Sequence, residues 1–360
     1  MNDQIIPRFS TAAFSWLLLF CLFCGDAAAA ERMGEKRFFD SMHARIEILI
    51  PKESGSDKTP EHLADLAETA IRKADALFSP FGENSDVRRL NSVGANQWVT
   101  VDPLTIILVQ EALKWHKLTG GRFDPTIGPL KKLFAFTRKE VSDWPSKEKI
   151  AETLKKVGAD KLKVDAEGKR LAWAEDGMSL DLGAIAKGFA ADIAAEILQA
   201  QGVQHALINT GGEMRVMGRN PGPPPAPWKV ALIDPRGGSG DYMAEIENRG
   251  IATSGNYESY FEYKGERYSH ILDPLIGSPL PNRVAGVTVS HPRHATVAEA
   301  LSTTLSILGP VEGERFLREH AKTEFAEGLD VVMFVVGENR KLEVLSMRVD
   351  TSGNVVVGRP

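Results

Sequence analysis

A glutamate and a threonine stand four residues apart in the apolar stretch VAEALSTTLSILG at positions 297–309. If this stretch is helical, Glu299 and Thr303 project from the same face. A carboxylate and a hydroxyl are hard oxygen ligands of the kind that Mg²⁺ takes, with water and substrate phosphates completing its shell. The same pattern fits a partly exposed glutamate beside a threonine that bonds back to a helix carbonyl. The pair alone therefore favours the second, structural interpretation.

Two glycine-containing turns could bring the backbone close to a ligand. In GGRFDPTIGPL (120–130) Asp124 offers a carboxylate, although a helix C-cap followed by a turn explains the same residues. In DLGAIAKG (181–188) a turn leads into a helix, and the first N–H groups of a helix favour a phosphate. Lys187 could add a positive charge there or be a solvated lysine, and Asp181 could simply cap the helix. By itself the first turn favours local structure, whereas the second fits a ligand site and local structure equally.

A histidine and an aspartate lie near the end of a strand-like segment in TSGNYESYFEYKGERYSHILDP (253–274). A histidine among strand residues is more often structural than catalytic. Because His270 and Asp273 stand close to the end of the strand, a role as general base is also open.

Length and composition are those of an ordinary globular protein. The chain has 360 residues, of which 43% are hydrophobic and 25% are charged. This length suits one large domain or two lobes with ample core. The net charge of −5 gives no indication of nucleic-acid binding, so nucleic acid is not an expected partner.

The N-terminus has the layout of a secretory signal. An apolar run at 12–24 is followed by small residues, so 1–30 is predicted to be a signal peptide cleaved near Ala30. The run is short for a membrane span. Cys21 and Cys24 are the two cysteines of the chain and lie within this segment, which excludes a disulfide from the mature protein. We therefore expect a periplasmic protein, associated with the inner membrane if the signal stays uncleaved.

Strand and helix signals are mixed without strict alternation, which favours an α+β fold with mainly antiparallel sheet. The stretch RFFDSMHARIEILI (37–50) is predicted to be one strand, and 178–202 a strand, a tight turn and a helix. The predicted buried stripe of that helix consists of Ile185, Phe189, Ile193 and Ile197. A hairpin is expected around Gly211-Gly212. Further helices are expected from Pro60, from Pro103 and over 146–157, and a final pair of strands turns at Glu338-Asn339.

Taken together, these segments resemble the ApbE family of FAD:protein FMN transferases. The matching pieces follow the family's order between positions 79 and 309: SPFGENSDVRRLN, TGGRFDPTIGPL, DLGAIAKGFAAD, INTGGEMRVMG with WKVALIDP, IATSGNYESY, YSHILDP and AEALSTTLSILG. Of these, DLGAIAKG and TSGNY…HILDP are specific, and their order and spacing favour the functional interpretation of each motif.

The resemblance implies a two-lobed α+β fold with mainly antiparallel sheets and packed helices, similar to the T-fold class. Residues 31–350 would form the catalytic domain with an FAD cleft between its lobes, and 351–360 a C-terminal tail. The implied reaction cleaves FAD with Mg²⁺, attaches FMN to a Thr or Ser of an acceptor protein, and releases AMP. The implied acceptor is an exported or membrane-bound redox subunit with a Thr/Ser flavinylation motif, such as those of Na⁺-pumping quinone reductase or Rnf complexes.

Site residues carry over from the resemblance position by position. The metal ligands would be the Ala184 carbonyl, the Glu299 carboxylate and the Thr303 hydroxyl. The FAD-contacting residues would be Met42, Phe81, Arg122, Phe123, Asp124, Asp181, Lys187 and Ile271, with Ser302 near the metal. His270 would be the base that deprotonates the acceptor hydroxyl, and Asp273 is its competitor.

Three positions depart from the family pattern. Met42 is followed by His43-Ala44 in place of Gly-Thr, and Phe81 stands where the family often has Tyr, which retains stacking but loses a phenol. Glu299 stands where the family usually has Asp, so the charge is kept and one methylene is added.

Two other functions fit the same motifs. One is a Mg²⁺-dependent FAD pyrophosphatase, in which water replaces the acceptor hydroxyl. The other is a periplasmic flavin-binding or flavin-delivery protein without catalysis, which the Glu299 departure favours.

Overall fold

The largest element of the computed structural model is a nine-stranded sheet. The structure describes residues 33–134, 143–221, 224–233, 235, 239–255, 260–264, 266–281, 283–337 and 341–359. The sheet runs in the order β1-β2-β6-β7-β10-β14-β15-β16-β17, and all of its pairings are antiparallel. Its strands are β1 (Met33–Ser41), β2 (Ala44–Pro51), β6 (Ala206–Asn209), β7 (Met214–Met217), β10 (Gly250–Gly255), β14 (Val284–His291), β15 (Leu329–Val336), β16 (Leu342–Val349) and β17 (Val355–Gly358).

Smaller sheets and seven helices surround it within the described residues. The other strands are β3 (Val99–Thr100), β4 (Leu162–Asp165), β5 (Arg170–Trp173), β8 (Trp228–Ile233), β9 (Ser239–Ile246), β11 (Tyr260–Tyr263), β12 (Glu266–Asp273) and β13 (Ser278–Pro281). The helices are α1 (Pro60–Phe78), α2 (Asp86–Asn91), α3 (Pro103–Leu118), α4 (Gly128–Phe134), α5 (Lys147–Leu154), α6 (Ala186–Ala200) and α7 (Ala295–His320), with α7 interrupted at Gly309. The predicted α+β class with mainly antiparallel sheet is confirmed.

The main core lies between one face of the large sheet and helices α1, α6 and α7. Ile46 and Ile48 of β2 contribute to it from the sheet, and Leu63 and Ile71 of α1 from the helices. The other face of the sheet is covered in part by the β8–β9 hairpin, whose Trp228 is buried there. Leu49 of β2 packs on this second face while Ile46 and Ile48 pack in the main core, so both faces of that strand are buried.

Helices α6 and α7 cross at unusually close range. A Cβ atom built on Gly188 of α6 would lie 2.5 Å from the Ala295 carbonyl oxygen at the start of α7. The Asp192 carboxylate of α6 accepts the Ala295 and Thr296 N–H groups at 2.9 Å each, and so caps α7. In return, Glu299 Oε2 of α7 accepts the Gly188 N–H at 2.7 Å. The two helices therefore exchange carboxylate-to-backbone hydrogen bonds, which fixes their relative position.

One prediction near the N-terminal end of the fold is wrong. The single strand predicted over 37–50 is a hairpin that turns at Met42 and His43, whose φ angles are 53° and 57°. These left-handed conformations occur without the Gly or Asn that normally marks such a turn. Ser41 Oγ and the Met42 N–H both donate to Asp75 Oδ2 at 2.9 Å, so a carboxylate distant in sequence stabilises the turn.

The segment before α6 also differs from the prediction. Residues 178–182 form no strand; instead, the Asn91 side chain donates to the Leu180 carbonyl and accepts the Leu180 N–H. Along α6 the face that packs most tightly is rich in alanine, with Ala190, Ala191 and Ala194 buried. Of the predicted stripe, Ile185 is buried, whereas Phe189, Ile193 and Ile197 are partly exposed. Small residues take the buried face because α6 is packed between α1, α7 and the sheet.

The predicted hairpin at Gly211-Gly212 is confirmed as β6–β7, and the helix over 146–157 as α5 with Ser146 as its N-cap. The predicted turn at Glu338-Asn339 and the predicted signal peptide lie outside the described residues. Residues 355–358 of the predicted tail form β17, while the division into domains stays a prediction. Within the part of the chain that the structure describes, none of the helices combines the length and apolarity that a membrane span needs.

We expect Gly188→Ala to lower the free energy of unfolding by about 1–3 kcal/mol, because the added methyl group forces α6 and α7 apart. Alanine is normally favoured over glycine within a helix, so helix propensity alone would predict a gain in stability. A loss of stability would therefore report the close packing of the two helices. Thermal or urea unfolding measures the effect. Gly82→Ala is the control, because an added Cβ there meets no atom closer than 3.5 Å. Equal stability of both variants would contradict the close crossing.

Candidate functional site

Two adjoining cavities form a cleft beside the α6–α7 crossing. The first, of about 120 Å³, lies among the segment before α4, the N-terminal end of α6, strands β10 and β12, and α7. The second, of about 740 Å³, extends from there towards the β1–β2 turn and the end of α1. Residues that line both are Lys131, Asp181, Gly183, Lys187 and His270. The cleft is therefore continuous across these residues.

The three predicted metal ligands line the first cavity together. These are Ala184, just before α6, and Glu299 and Thr303 on α7. Glu299 is 3% exposed, and with Oε2 bonded to Gly188 its other carboxylate oxygen receives no hydrogen bond from the described residues. The Thr303 hydroxyl lies 3.2 Å from Ser254 Oγ of β10 and does not bond back to the helix. The additional methylene of Glu299 thus lets one oxygen reach α6.

Lys187 forms an ion pair with Glu213, a residue that was not predicted from the sequence to be part of the site. Its Nζ atom lies 2.7 Å from Glu213 Oε2, and the lysine side chain is 23% exposed. Because Glu213 Oε2 receives no directed hydrogen bond from the described residues, this contact is an ion pair. Lys187 is therefore not a solvated surface lysine.

Glu213 is placed by the turn that precedes it. Gly211 and Gly212 have φ angles of 98° and 111°, which favour glycine. Their N–H groups both donate to Asn209 Oδ1, at 3.0 and 2.8 Å. Thr210 Oγ1 contacts the carbonyl oxygens of Lys187 and Glu213 at 3.0 Å each, which ties the turn to α6.

The electrostatics of this wall are dominated by buried carboxylates. Burial raises the pKa of the Glu299 carboxyl well above its usual range, and the negative charge of Glu213 raises it further. The ammonium of Lys187 and the Gly188 N–H act in the opposite direction. When both carboxylates are ionised, they exceed the single ammonium by one negative charge, which a positive ion in the cavity would offset.

The residues present fit a hard divalent cation. The donor set combines one carboxylate, one hydroxyl and one backbone carbonyl, all oxygen atoms, which suits Mg²⁺ better than a soft metal. Among the described residues no cluster of three or more His, Cys, Asp or Glu side chains suits a metal.

Asp181 and Lys131 form a second ion pair on the cleft wall. Lys131 Nζ of α4 lies 2.8 Å from Asp181 Oδ1, which also accepts the Gly183 N–H at 2.9 Å. Burial acts to raise the pKa of Asp181, but Lys131, Gly183 and the charge of His270 outweigh it and lower the pKa. Asp181 therefore shapes the turn before α6 and does not cap the helix, whose N-cap is Ile185.

Asp273 lies behind the cleft wall, and both of its carboxylate oxygens have partners. Its Oδ2 atom lies 2.5 Å from Arg122 Nη1, and its Oδ1 atom accepts the Leu275 N–H at 2.9 Å. Asp273 is 2% exposed and is not among the residues that line either cavity, whereas His270 lines both. This placement favours His270 over Asp273 as a base.

Phe123 and Asp124 line the first cavity from the turn after α3. Asp124 Oδ1 accepts the Thr126 N–H and hydroxyl at 2.7 and 2.6 Å. The hydrogen bond to Asp124 raises the pKa of His116, whose ring lies behind this turn. Asp124 thus stabilises the turn and also lines the cleft, so a structural role and contact with a ligand are compatible.

Met42 and Phe81 lie apart from the other predicted residues, at the second cavity. Phe81 is 68% exposed, and the His43 ring meets it edge-on at 5.4 Å between centroids. His43, which replaces the glycine of the family pattern, therefore forms part of this aromatic rim.

Ser302 lies behind the wall of the first cavity. It is fully buried, its hydroxyl donates to the Glu299 carbonyl oxygen at 2.9 Å, and it lies 2.8 Å from Ser254 Oγ. Its predicted contact near the metal would thus be indirect, through Ser254 and the backbone of Glu299.

The structure brings the remaining predicted residues together at the first cavity: Arg122, Phe123, Asp124, Asp181, Ala184, Lys187, His270, Ile271, Glu299 and Thr303. Sequence reasoning missed Glu213, Lys131 and Ser254. Glu213 directly follows a glycine pair, which is a detectable signal, whereas nothing local distinguishes Lys131 from Lys132.

Comparisons with known proteins identify the family of the chain. A sequence model described as the ApbE family matches residues 42–327. The chain is 34% identical over 246 residues to the FAD:protein FMN transferase of Vibrio cholerae, which covers 68% of this chain and 72% of that protein. It is 33% identical to the FAD:protein FMN transferase of Haemophilus influenzae, over 71% of this chain and 73% of that protein.

Solved structures show the same fold. The flavinyl transferase ApbE of Pseudomonas stutzeri, in its apo form, superposes with a TM-score of 0.75 at 29% identity, covering 87% of this chain and 94% of that one. The flavin transferase ApbE of Vibrio cholerae superposes with a TM-score of 0.74 at 26% identity, over 88% and 97%. The chain belongs to the ApbE family, which confirms the prediction made from the motifs.

Proposed function

We propose that this protein is a Mg²⁺-dependent FAD:protein FMN transferase. The prediction that it is an enzyme of the flavin-transferase type is confirmed by the family and by the relatives of that name. The metal, the phosphoester to a Thr or Ser, and export to the periplasm are parts of the proposal that rest on the sequence and on the site.

One observation carries the proposal. Lys187, Glu299, Thr303 and His270 come from distant parts of the chain and line one cavity. That cavity opens into a second of about 740 Å³, a size typical of small-molecule sites. A phosphate-binding end with hard oxygen donors and an adjoining space with an aromatic rim suit a flavin dinucleotide.

The oxygen donors and the lysine of the first cavity would bind different parts of the ligand. The Ala184 carbonyl, Glu299 and the Thr303 hydroxyl would hold Mg²⁺, which when bound offsets charge on the pyrophosphate. Lys187 adds a second positive charge near the N-terminal end of α6, where the backbone also favours an anion. The protein's main contribution is then positioning and electrostatic stabilisation.

In the proposed transfer, the acceptor hydroxyl oxygen forms a bond to the phosphorus of the FMN moiety. The bond from that phosphorus to the bridging oxygen breaks, and AMP leaves with this oxygen. His270 takes the proton of the hydroxyl. The products are a phosphoester-linked FMN on the acceptor and free AMP.

We expect covalent FMN on a co-expressed acceptor subunit when protein, FAD and Mg²⁺ are present, and none with EDTA, because the pyrophosphate charge is then not offset. Intact-mass spectrometry detects the adduct, and a Thr→Ala acceptor serves as the control. If residues 1–30 direct export, the acceptor is an exported or membrane subunit. Free FMN and AMP without an adduct would support the pyrophosphatase instead, and bound but intact FAD the flavin-binding protein.

We expect Glu299→Ala and Thr303→Ala to lower the rate of transfer on the order of 100-fold while FAD binding changes far less, because both side chains act on the metal. Steady-state kinetics and FAD titrations measure the two effects. The matched control is Thr304→Ala, because this hydroxyl donates to the Ala300 carbonyl oxygen on another side of α7. Equal loss of binding and turnover, or loss of neither, would contradict the metal role.

We expect His270→Ala to slow transfer by about 10²–10⁴-fold and leave Mg²⁺ affinity intact, as removal of a general base does. The decline of the wild-type rate at low pH, where a basic group becomes protonated, should disappear in this variant. Asp273→Asn should keep that decline, because Asp273 is held by Arg122. A flat pH profile for Asp273→Asn, or full activity of His270→Ala, would instead make His270 dispensable.

A further inference from the structure

The ion pair between Lys187 and Glu213 occupies the wall against which the pyrophosphate of FAD would lie. Glu213 is 5% exposed and lines the first cavity with Lys187. Its main chain is fixed, since its carbonyl oxygen accepts the Thr210 N–H at 2.7 Å. The turn that carries Glu213 is also tied to α6 through the Thr210 hydroxyl, so the Glu213 backbone is held beside Lys187.

Glu213 also interacts with the predicted metal ligand. Glu213, Glu299 and Lys187 line the same cavity of about 120 Å³, where the negative charge of Glu213 disfavours the ionised form of Glu299 and the ammonium of Lys187 favours it. The positive charge of Lys187 therefore stabilises the ionised forms of two buried carboxylates, Glu213 and Glu299. If the Lys187 ammonium moves towards a bound phosphate, its stabilising interaction with both carboxylates becomes weaker.

We propose that Glu213 competes with the pyrophosphate of FAD for Lys187, and thereby makes FAD binding depend on a bound divalent cation. This inference rests on the proposed function. Without the cation, FAD must break the Lys187–Glu213 pair and leave Glu213 buried without a counter-charge. With the cation held by Glu299, positive charge remains beside Glu213 when Lys187 binds the phosphate. FAD and Mg²⁺ then strengthen each other's binding, and the coupling is reciprocal.

The test is the dissociation constant of FAD, measured by flavin fluorescence in EDTA and in saturating Mg²⁺. Wild type, Glu213→Gln, Lys187→Gln and the double variant form a double-mutant cycle. We expect Mg²⁺ to tighten FAD binding to wild type by about tenfold, within the usual range of such couplings. Glu213→Gln should tighten FAD binding in EDTA by about fivefold or more and reduce the Mg²⁺ effect, because Lys187 is released.

The cycle separates competition for Lys187 from simple charge repulsion. In the Lys187→Gln background, Glu213→Gln should have a much smaller effect on FAD affinity in EDTA. Glu324→Gln is the matched control, since it removes a carboxylate that pairs with Lys114 at 3.1 Å on the surface of the protein. It should change neither dissociation constant.

Each other outcome overturns the inference in a recognisable way. Unchanged or weaker FAD binding by Glu213→Gln in EDTA, or an equal effect in the Lys187→Gln background, would overturn it and leave the proposed function intact. Absence of FAD binding to wild type under both conditions would overturn both. Should Glu213→Gln not fold, Glu213→Asp withdraws the carboxylate by one methylene and is expected to shift FAD affinity in the same direction.

Discussion

The reciprocal hydrogen bonding between α6 and α7 is the constraint on which the site depends. Asp192 caps α7, Glu299 accepts the Gly188 N–H, and Gly188 lacks the Cβ atom that would separate the helices. These contacts set the N-terminal end of α6 against the second turn of α7. Ala184, in the turn before α6, and Thr303, on α7, consequently line one cavity although they are far apart in sequence.

The same contacts explain how a glutamate can stand in a position where aspartate is usual. The longer side chain of Glu299 spans to α6 with Oε2, and its other oxygen remains for the cavity. A carboxylate is then both a structural acceptor and a candidate ligand. Its burial beside Glu213 makes the ionised carboxylate costly, and the positive charges of Lys187 and of a bound cation would offset that cost.

Local patterns predicted elements well where the signals themselves were local. The glycine pair before Glu213 marked the β6–β7 turn, and Ser146 marked the start of α5. The β1–β2 turn was missed because Met42 adopts a left-handed conformation that the distant carboxylate of Asp75 stabilises. The buried face of α6 was misassigned because close packing between two helices selects alanine over larger apolar residues.

The sequence by itself determined the family, the α+β class and the identity of most residues at the cleft, because short motifs keep their spacing along the chain. Only the tertiary structure determined which charged side chains form ion pairs. It paired Lys187 with Glu213, Lys131 with Asp181, and Arg122 with Asp273. It also placed Asp273 behind the wall and His270 within the cleft. The physical reason is that ion pairs and burial depend on distances between residues far apart in sequence, which spacing along the chain does not contain.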